Sequence, residues 1–291
     1  MTTQHQSSRA LPTLALVFGI LAVSMAAILV RWANAPATVI GFFRMTIAAT
    51  VMALPFARAA RQTNIAPGQL SVAVIAGTFF GLNLWAWNSS AQITTAANVT
   101  LLGNLSVVWV PLAAMFLFKR RLRRAFWVGL VCALVGVLMI LGQDLLAHPA
   151  LGFGDLLAIV ASFVYSVYML TMERARAGLS ALVAWWISTM TSALVLLVLT
   201  LGLNAPLVGY PVASYAIFAI MAIVIQIGGF LSLNYAQGHL SAPIVSASML
   251  AQPVLTALLA VPLLGQSVGL VQVVGGALVL GGIFIVHRSR F

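Results

Sequence analysis

Amides, hydroxyls and indoles set inside long apolar runs are the residues of this chain with chemistry to offer. Asn83, Trp85, Trp87, Asn88, Ser89 and Ser90 are followed closely by Thr94, Thr95, Asn98, Thr100 and Asn104. A second group comes later: Tyr165, Ser166 and Tyr168, then Gln226, Asn234 and Tyr235, then Ser246, Ser248 and Gln252. An apolar medium gives such groups no water, so each needs a protein partner or a wet cavity. Neutral donors and acceptors suit a zwitterion such as an amino acid, whose ammonium and carboxylate need partners of both kinds while its net charge is zero. On that argument Asn83, Trp87, Asn88, Asn98, Asn104, Tyr165, Tyr168, Gln226, Asn234 and Gln252 are the candidate substrate-binding residues. The competing reading is packing, in which the same amides and hydroxyls bind helix to helix at about 0.6 kcal/mol per bond. Trp185 and Trp186, near the start of a run, read instead as an interfacial belt.

Arg44 is the one basic residue well inside an apolar run, about 10 Å from its outer end at 1.5 Å per residue. Such a charge must snorkel, pair or face water. Asp155 and Asp144 are candidate partners, and Arg44 with Asp155 reads as a structural anchor or helix-end bond; attraction of a carboxylate or gating of the outer mouth is the alternative. All three acids, Asp144, Asp155 and Glu173, fall at run ends, so no carboxylate sits at mid-run to exchange a proton for a solute. No Gly-x-Ser-x-Gly elbow, His-Glu-x-x-His zinc site or phosphate loop occurs, and His5, His148, His239 and His287 lie in tails, loops or run ends. We therefore expect no catalytic residue, no metal site and no cofactor, with an intramembrane enzyme as the disfavoured other class.

The elements that carry these residues follow from composition. Of 291 residues 63% are hydrophobic, and only 14 Lys or Arg and 3 Asp or Glu are present, where a soluble domain is about a quarter charged. So few charges cannot coat a water-facing surface, which excludes a soluble enzyme or nucleic-acid-binding domain. The net charge of +11 arises from scarcity of acids. A spanning helix needs about 20 apolar residues, and ten runs qualify, at 12–31, 37–57, 70–89, 95–117, 125–142, 154–172, 180–201, 211–232, 241–263 and 268–286. With the amino terminus inside, Arg9, Arg58, Arg61, Lys119, Arg120, Arg121, Arg123, Arg124, Arg174, Arg176, Arg288 and Arg290 all fall on the cytoplasmic side, against Arg31 outside. Both termini are then cytoplasmic, and the first run, lacking a small-residue cleavage region, is a retained helix rather than a leader.

Sliding the sequence against itself by 146 residues pairs Gly129 with Gly275, Gly136 with Gly282, Asn88 with Asn234, and Leu112, Ala114 and Leu117 with Leu258, Ala260 and Leu263. One offset holding across three runs indicates duplication. Because five helices is an odd number, the second copy must insert upside down, the arrangement of many secondary transporters. The expected organisation is a tail at 1–11, a first five-helix repeat at 12–142, an external connection at 143–153, a second repeat at 154–286 and a tail at 287–291.

The ten runs in two halves, Arg44 within Gly41-Phe42-Phe43-Arg44, the stretch from Ser241-Ala242-Pro243 through Pro253 to Leu264-Gly265-Gln266, and the glycine-rich last run resemble the drug/metabolite transporter superfamily in its EamA-type branch. The resemblance covers nearly the whole chain. It implies an all-α integral membrane fold, a substrate path between the halves with the fourth and ninth helices near the axis, and export of amino acids or other metabolites across the inner membrane. The family commonly ends those two helices with Leu-Gly-Glu; here Lys119-Arg120 and Gly265-Gln266 stand instead, so both acids are missing. The sequence reading is thus an exporter of neutral, including aromatic, amino acids by alternating access, without a central coupling carboxylate; drugs, nucleotide sugars and lipids are the alternative cargoes. Pro111 and Pro253 would bend helices as hinges, and Gly228 and Gly229 would let backbones approach. The partners implied are a small-molecule substrate and membrane lipid, with no nucleic acid and a monomer as the simplest state.

Overall fold

Apolar runs deprived of water satisfy their amides internally, and the described residues form helices with no strand among them. The computed structural model describes residues 4–63, 65–94, 96–147, 152–264 and 269–289, with side chains at 10–63, 65–94, 98–141, 152–258 and 269–289. The helices are α1 (Gln4–Val23), α2 (Ala26–Trp32), α3 (Ala37–Val51), α4 (Ala53–Arg61), α5 (Pro67–Ile93), α6 (Ala96–Gly103), α7 (Ser106–Phe116) and α8 (Arg124–Ala147). They continue as α9 (Phe153–Arg176), α10 (Ala181–Gly202), α11 (Val212–Ile220), a π-helical stretch (Met221–Phe230), α12 (Leu231–Gln237), α13 (Ala242–Ser248), α14 (Ala251–Leu264) and α15 (Leu270–Arg288).

Among the described residues eight helical segments are long and apolar enough to cross a membrane: Ala10–Trp32, Pro67–Ile93, Asn98–Phe116, Arg124–Leu141, Phe153–Arg176, Ala181–Gly202, Val212–Gln237 and Leu270–Arg288. The run at 37–57 appears as α3 and α4, bent by 55°. Pro55 explains the bend, because it offers no N–H to the Val51 carbonyl and its ring crowds that turn. The run at 241–263 contains a shorter apolar helix, Ala242–Leu258. Large apolar side chains such as Leu14, Phe163, Val198 and Phe284 are exposed on the outside of the bundle, a surface suited to lipid rather than water.

Three breaks between helices shape the interior of the bundle. The first, between α1 and α2, falls at Ser24, whose hydroxyl donates back to the Ile20 carbonyl at 2.7 Å and bends the helix. The freed Ser24 carbonyl accepts from Thr256 Oγ1 of α14 at 3.1 Å. The second separates α6 from α7 at Asn104 and Leu105, where Leu105 and Val107 bond back three residues rather than four. The third separates α13 from α14 at Met249 and Leu250. Pro253 accounts for the third, since it removes the donor that the Met249 carbonyl would receive, and Gln252 N–H takes that carbonyl instead at 2.9 Å. Pro111 does not sit at its break: it lies inside α7, beyond the Asn104 turn.

Glycines set the closest helix contacts. α8 and α15 cross antiparallel, with Gly129 against the Gly282 carbonyl and Gly136 against the Gly275 carbonyl. Gly77 of α5 lies on the Ser188 backbone of α10, and Ser192 Oγ donates to the Gly77 carbonyl at 2.7 Å. Gly229 packs on α1, where an added Cβ would meet Val23 at 2.9 Å, whereas at Gly228 the nearest atom would be 3.5 Å away. Close approach is thus required at Gly229 and not at Gly228.

Candidate functional site

The three breaks converge on one cavity, with about 760 Å³ of empty space including the part open to solvent. The part a water-sized solute can occupy is about 100 Å³, below the roughly 300–1,000 Å³ usual for small-molecule sites, so a larger cargo needs the wall to open. Ser24 and Ala26 border it from the first break, Gly103, Asn104 and Ser106 from the second, and Met249 and Gln252 from the third. Arg44 enters from α3, Asn83 and Trp87 from α5, Tyr165 from α9, Phe230 from the end of the π-helical stretch and Thr256 from α14. No acid is among the described residues that line it.

The amides are held in defined senses. Asn83 Nδ2 donates to the Ala161 carbonyl at 2.9 Å, and Asn104 Nδ2 donates to the Thr100 carbonyl at 2.7 Å. An amide end that meets a carbonyl must be its nitrogen, so in both residues Oδ1 is the end left to accept. Trp87 lies against Gly103, where a Cβ would come 3.2 Å from the indole nitrogen. Arg44 is only 2% exposed. Its Nη2 donates to Gln226 Oε1 at 3.0 Å, its guanidinium carbon lies 5.2 Å from the centre of the Phe230 ring, and its Nε is buried with no partner. Gln226 in turn donates from Nε2 to Thr189 Oγ1 at 3.1 Å, and its backbone carbonyl accepts from Trp185 Nε1 at 3.1 Å. The π-helical stretch, a feature that recurs at functional sites, brings Gln226 and Phe230 to the same guanidinium.

Of the ten candidate substrate-binding residues the structure brings Asn83, Trp87, Asn104, Tyr165 and Gln252 to the cavity. The other five are engaged in helix packing. Asn88 donates to the Ala37 carbonyl at 3.1 Å and ties α5 to α3; Asn98 donates to Asp155 Oδ1 at 2.8 Å; Tyr168 donates to Asn234 Oδ1 at 2.9 Å, linking α9 to α12. Gln226 stands behind Arg44 rather than in the cavity wall. The pairing of Arg44 with Asp155 is not made. Asp155 instead accepts from the Gly152 N–H at 2.8 Å, Thr94 Oγ1 at 2.7 Å and Asn98 Nδ2 at 2.8 Å, capping the start of α9, where the helix dipole favours an anion. The Asp144 side chain, Gly265 and Gln266 lie outside the described residues. Trp185 is not in an interfacial belt: it is 1% exposed, held by the Gln226 carbonyl.

Ser24, Phe230, Met249 and Thr256 escape sequence reasoning. The available signals are a lone serine in the middle of the first apolar run and a threonine four residues after Gln252, hence on its face.

Two curated proteins are similar in sequence. The "Uncharacterized transporter YcbK" of Bacillus subtilis (strain 168) is 33% identical over 85 residues, 29% of this chain and 26% of that protein. An "Uncharacterized transporter" of Clostridium kluyveri (strain ATCC 8527 / DSM 555 / NBRC 12016 / NCIMB 10680 / K1) is 25% identical over 202 residues, 68% of this chain and 65% of the other. The chain thus spans less than two thirds of the length of either relative. A solved crystal structure superposes with a TM-score of 0.78 over 96% of this chain and 98% of its own at 21% identity, a likeness of fold. The EamA-like transporter family, one of transporters rather than enzymes, matches residues 11–142 and again 152–288. With the match extending over nearly all of an apolar chain whose described residues form helices, eight segments of them long and apolar enough to cross a membrane, this protein belongs to the EamA-like transporter family of the drug/metabolite superfamily.

Proposed function

We propose that this transporter carries neutral amino acids, aromatic ones among them, out across the inner membrane, through the cavity between α5, α7, α9 and α14. The observation that carries the reading is the placement of that cavity between two broken helices, α6–α7 and α13–α14, one in each stretch that matches the family. Discontinuous helices at a repeat interface are where secondary transporters hold their substrates. The lining supports an amino acid as cargo: amide and hydroxyl groups from Asn83, Asn104, Tyr165 and Gln252, with Trp87 and Phe230 as an aromatic wall. A single guanidinium suits one carboxylate and is too little for a phosphorylated cargo.

The transport cycle in this reading is alternating access between ten spans in two inverted five-helix repeats, with both termini cytoplasmic. The offset of 146 residues supports it in two ways. It carries the break at Asn104 onto Leu250, and it exchanges the two glycine contacts, turning Gly129 against Gly282 into Gly275 against Gly136. A two-fold relation between α8 and α15 requires such an exchange. The exposed apolar faces support lipid as the surrounding partner and a monomer as sufficient. With no acid in the described lining, flux runs down the solute gradient without proton exchange.

Purified protein in liposomes preloaded with labelled amino acids tests this reading. Protein-dependent efflux of neutral amino acids, unchanged by an imposed pH gradient, is expected. Absence of any amino acid flux removes the substrate assignment, and accumulation driven by the pH gradient removes the uncoupled mechanism.

A further inference from the structure

Resting on that reading, we infer that the carboxylate of the cargo seats on Arg44 while its ammonium faces Asn83 Oδ1 and Asn104 Oδ1, so that the site selects zwitterions and rejects amines. The guanidinium is the centre of the argument. It is 2% exposed, lines the cavity, uses one donor on Gln226 and keeps Nε buried without a partner. Neither of the two acids whose side chains are described bonds it: Asp155 is held at the start of α9 and Glu173 by Arg120. A buried charge with no counter-charge is costly, and a carboxylate arriving in the cavity both neutralises it and presents two acceptors to its planar fork. The same charge repels an organic cation.

The amide oxygens of the two lining asparagines are oriented by the bonds that hold their nitrogens, Asn83 to the Ala161 carbonyl and Asn104 to the Thr100 carbonyl. No donor among the described residues reaches either Oδ1, and both residues line the cavity, so two acceptors stand ready for an ammonium. Gln226 is a positioning residue. Its amide is locked between Thr189 and Arg44, which makes it a neutral acceptor where an acid would permanently cancel the charge the cargo needs.

The test uses three labelled solutes sharing one phenyl group, L-phenylalanine, 3-phenylpropionate and 2-phenylethylamine, in liposomes containing wild type, Gln226→Glu or Gln226→Met. Wild type is expected to carry L-phenylalanine at least tenfold faster than the amine. Gln226→Glu, nearly isosteric, is expected to lower L-phenylalanine flux at least tenfold and abolish the preference over the amine. Gln226→Met, which removes the acceptor and leaves Arg44 charged, is expected to keep that preference whatever its rate. Equal selectivity loss in both variants, or an amine preference in wild type, overturns the inference. If wild type moves none of the three, the proposed cargo falls, and the inference is read separately by thermal stabilisation in detergent. Stabilisation of wild type by 3-phenylpropionate that Gln226→Glu lacks upholds the Arg44 seat, and its absence overturns it.

Discussion

Alanine substituted for glycine at the α8–α15 crossing gives the sharpest test of the packing. A Cβ on Gly282 would lie 2.4 Å from the Gly129 carbonyl oxygen and 2.6 Å from Ala133 N, and one on Gly136 would lie 2.4 Å from the Gly275 carbonyl oxygen. Carbon to oxygen contacts in close helix pairs sit at about 3.3–3.6 Å. The two helices must therefore part by about 1 Å, and they cannot do so locally because the atoms in the way are backbone. Overpacking of this kind costs about 1–3 kcal/mol. The same helix supplies its own control. A Cβ on Gly281 meets nothing within 4 Å, so Gly281→Ala carries no steric cost and gains up to about 1 kcal/mol of helix propensity. Denaturation in mixed micelles is expected to rank Gly281→Ala at or above wild type and Gly282→Ala and Gly136→Ala below it. Gly129→Ala with Gly282→Ala is expected to cost less than the sum of the single changes, since both open one contact. Equal stability of Gly282→Ala and Gly281→Ala would refute the crossing.

Other expectations rest on single contacts. Gly229→Ala is expected to be destabilising because its Cβ would meet Val23 at 2.9 Å, while Gly228→Ala, with nothing nearer than 3.5 Å, is expected to be tolerated in the same denaturation series. Asp155→Ala removes the acceptor of three donors and is expected to cost about 3 kcal/mol, with the amino acid to amine selectivity of the folded protein unchanged because Asp155 does not pair with Arg44. Glu173 Oε1 accepts from Arg120 Nη1 at 2.9 Å and from Ala242 N–H at 3.2 Å, joining the start of α13 to the segment before α8. Glu173→Gln is expected to loosen that joint and raise the rate at which an impermeant thiol reagent labels Ser241→Cys.

The apolar runs and the polar residues inside them are legible in the sequence because both follow from one-dimensional counting. The partner of a given amide is not. Asn83 and Asn88 lie on one helix, yet Asn83 borders the cavity and Asn88 closes a helix contact, since either use needs only a carbonyl acceptor nearby. Arg44 shows the same limit for charge. An acid is the natural partner to expect, but Asp155 is satisfied by the Gly152 N–H at its helix start and by Thr94 and Asn98, and a glutamine on a distant π-helical stretch takes the place. One break has a proline just past it, Pro253, whereas the equivalent break at Asn104 comes from a polar turn and not from Pro111.

The scaffold and the site follow different rules. The 146-residue offset reproduces the glycine crossing and the pair of helix breaks, which alternating access needs in both directions. It does not reproduce the chemistry: it carries Arg44 to Met190, Asn83 to Gly229, Tyr165 to Gly19 and Asn104 to Leu250. A symmetric pair of gates requires only that the helices repeat, whereas a zwitterion has two unlike ends and is best held by unlike poles. Duplicating Arg44 would place a second uncompensated charge in the bundle, and duplicating Asn83 at position 229 would put a side chain where α1 leaves no room. Glycine at 229 thus serves packing at the same place in the repeat where asparagine at 83 serves the cavity. On the proposed cycle the cargo therefore keeps one orientation relative to Arg44 while the two halves exchange their roles around it.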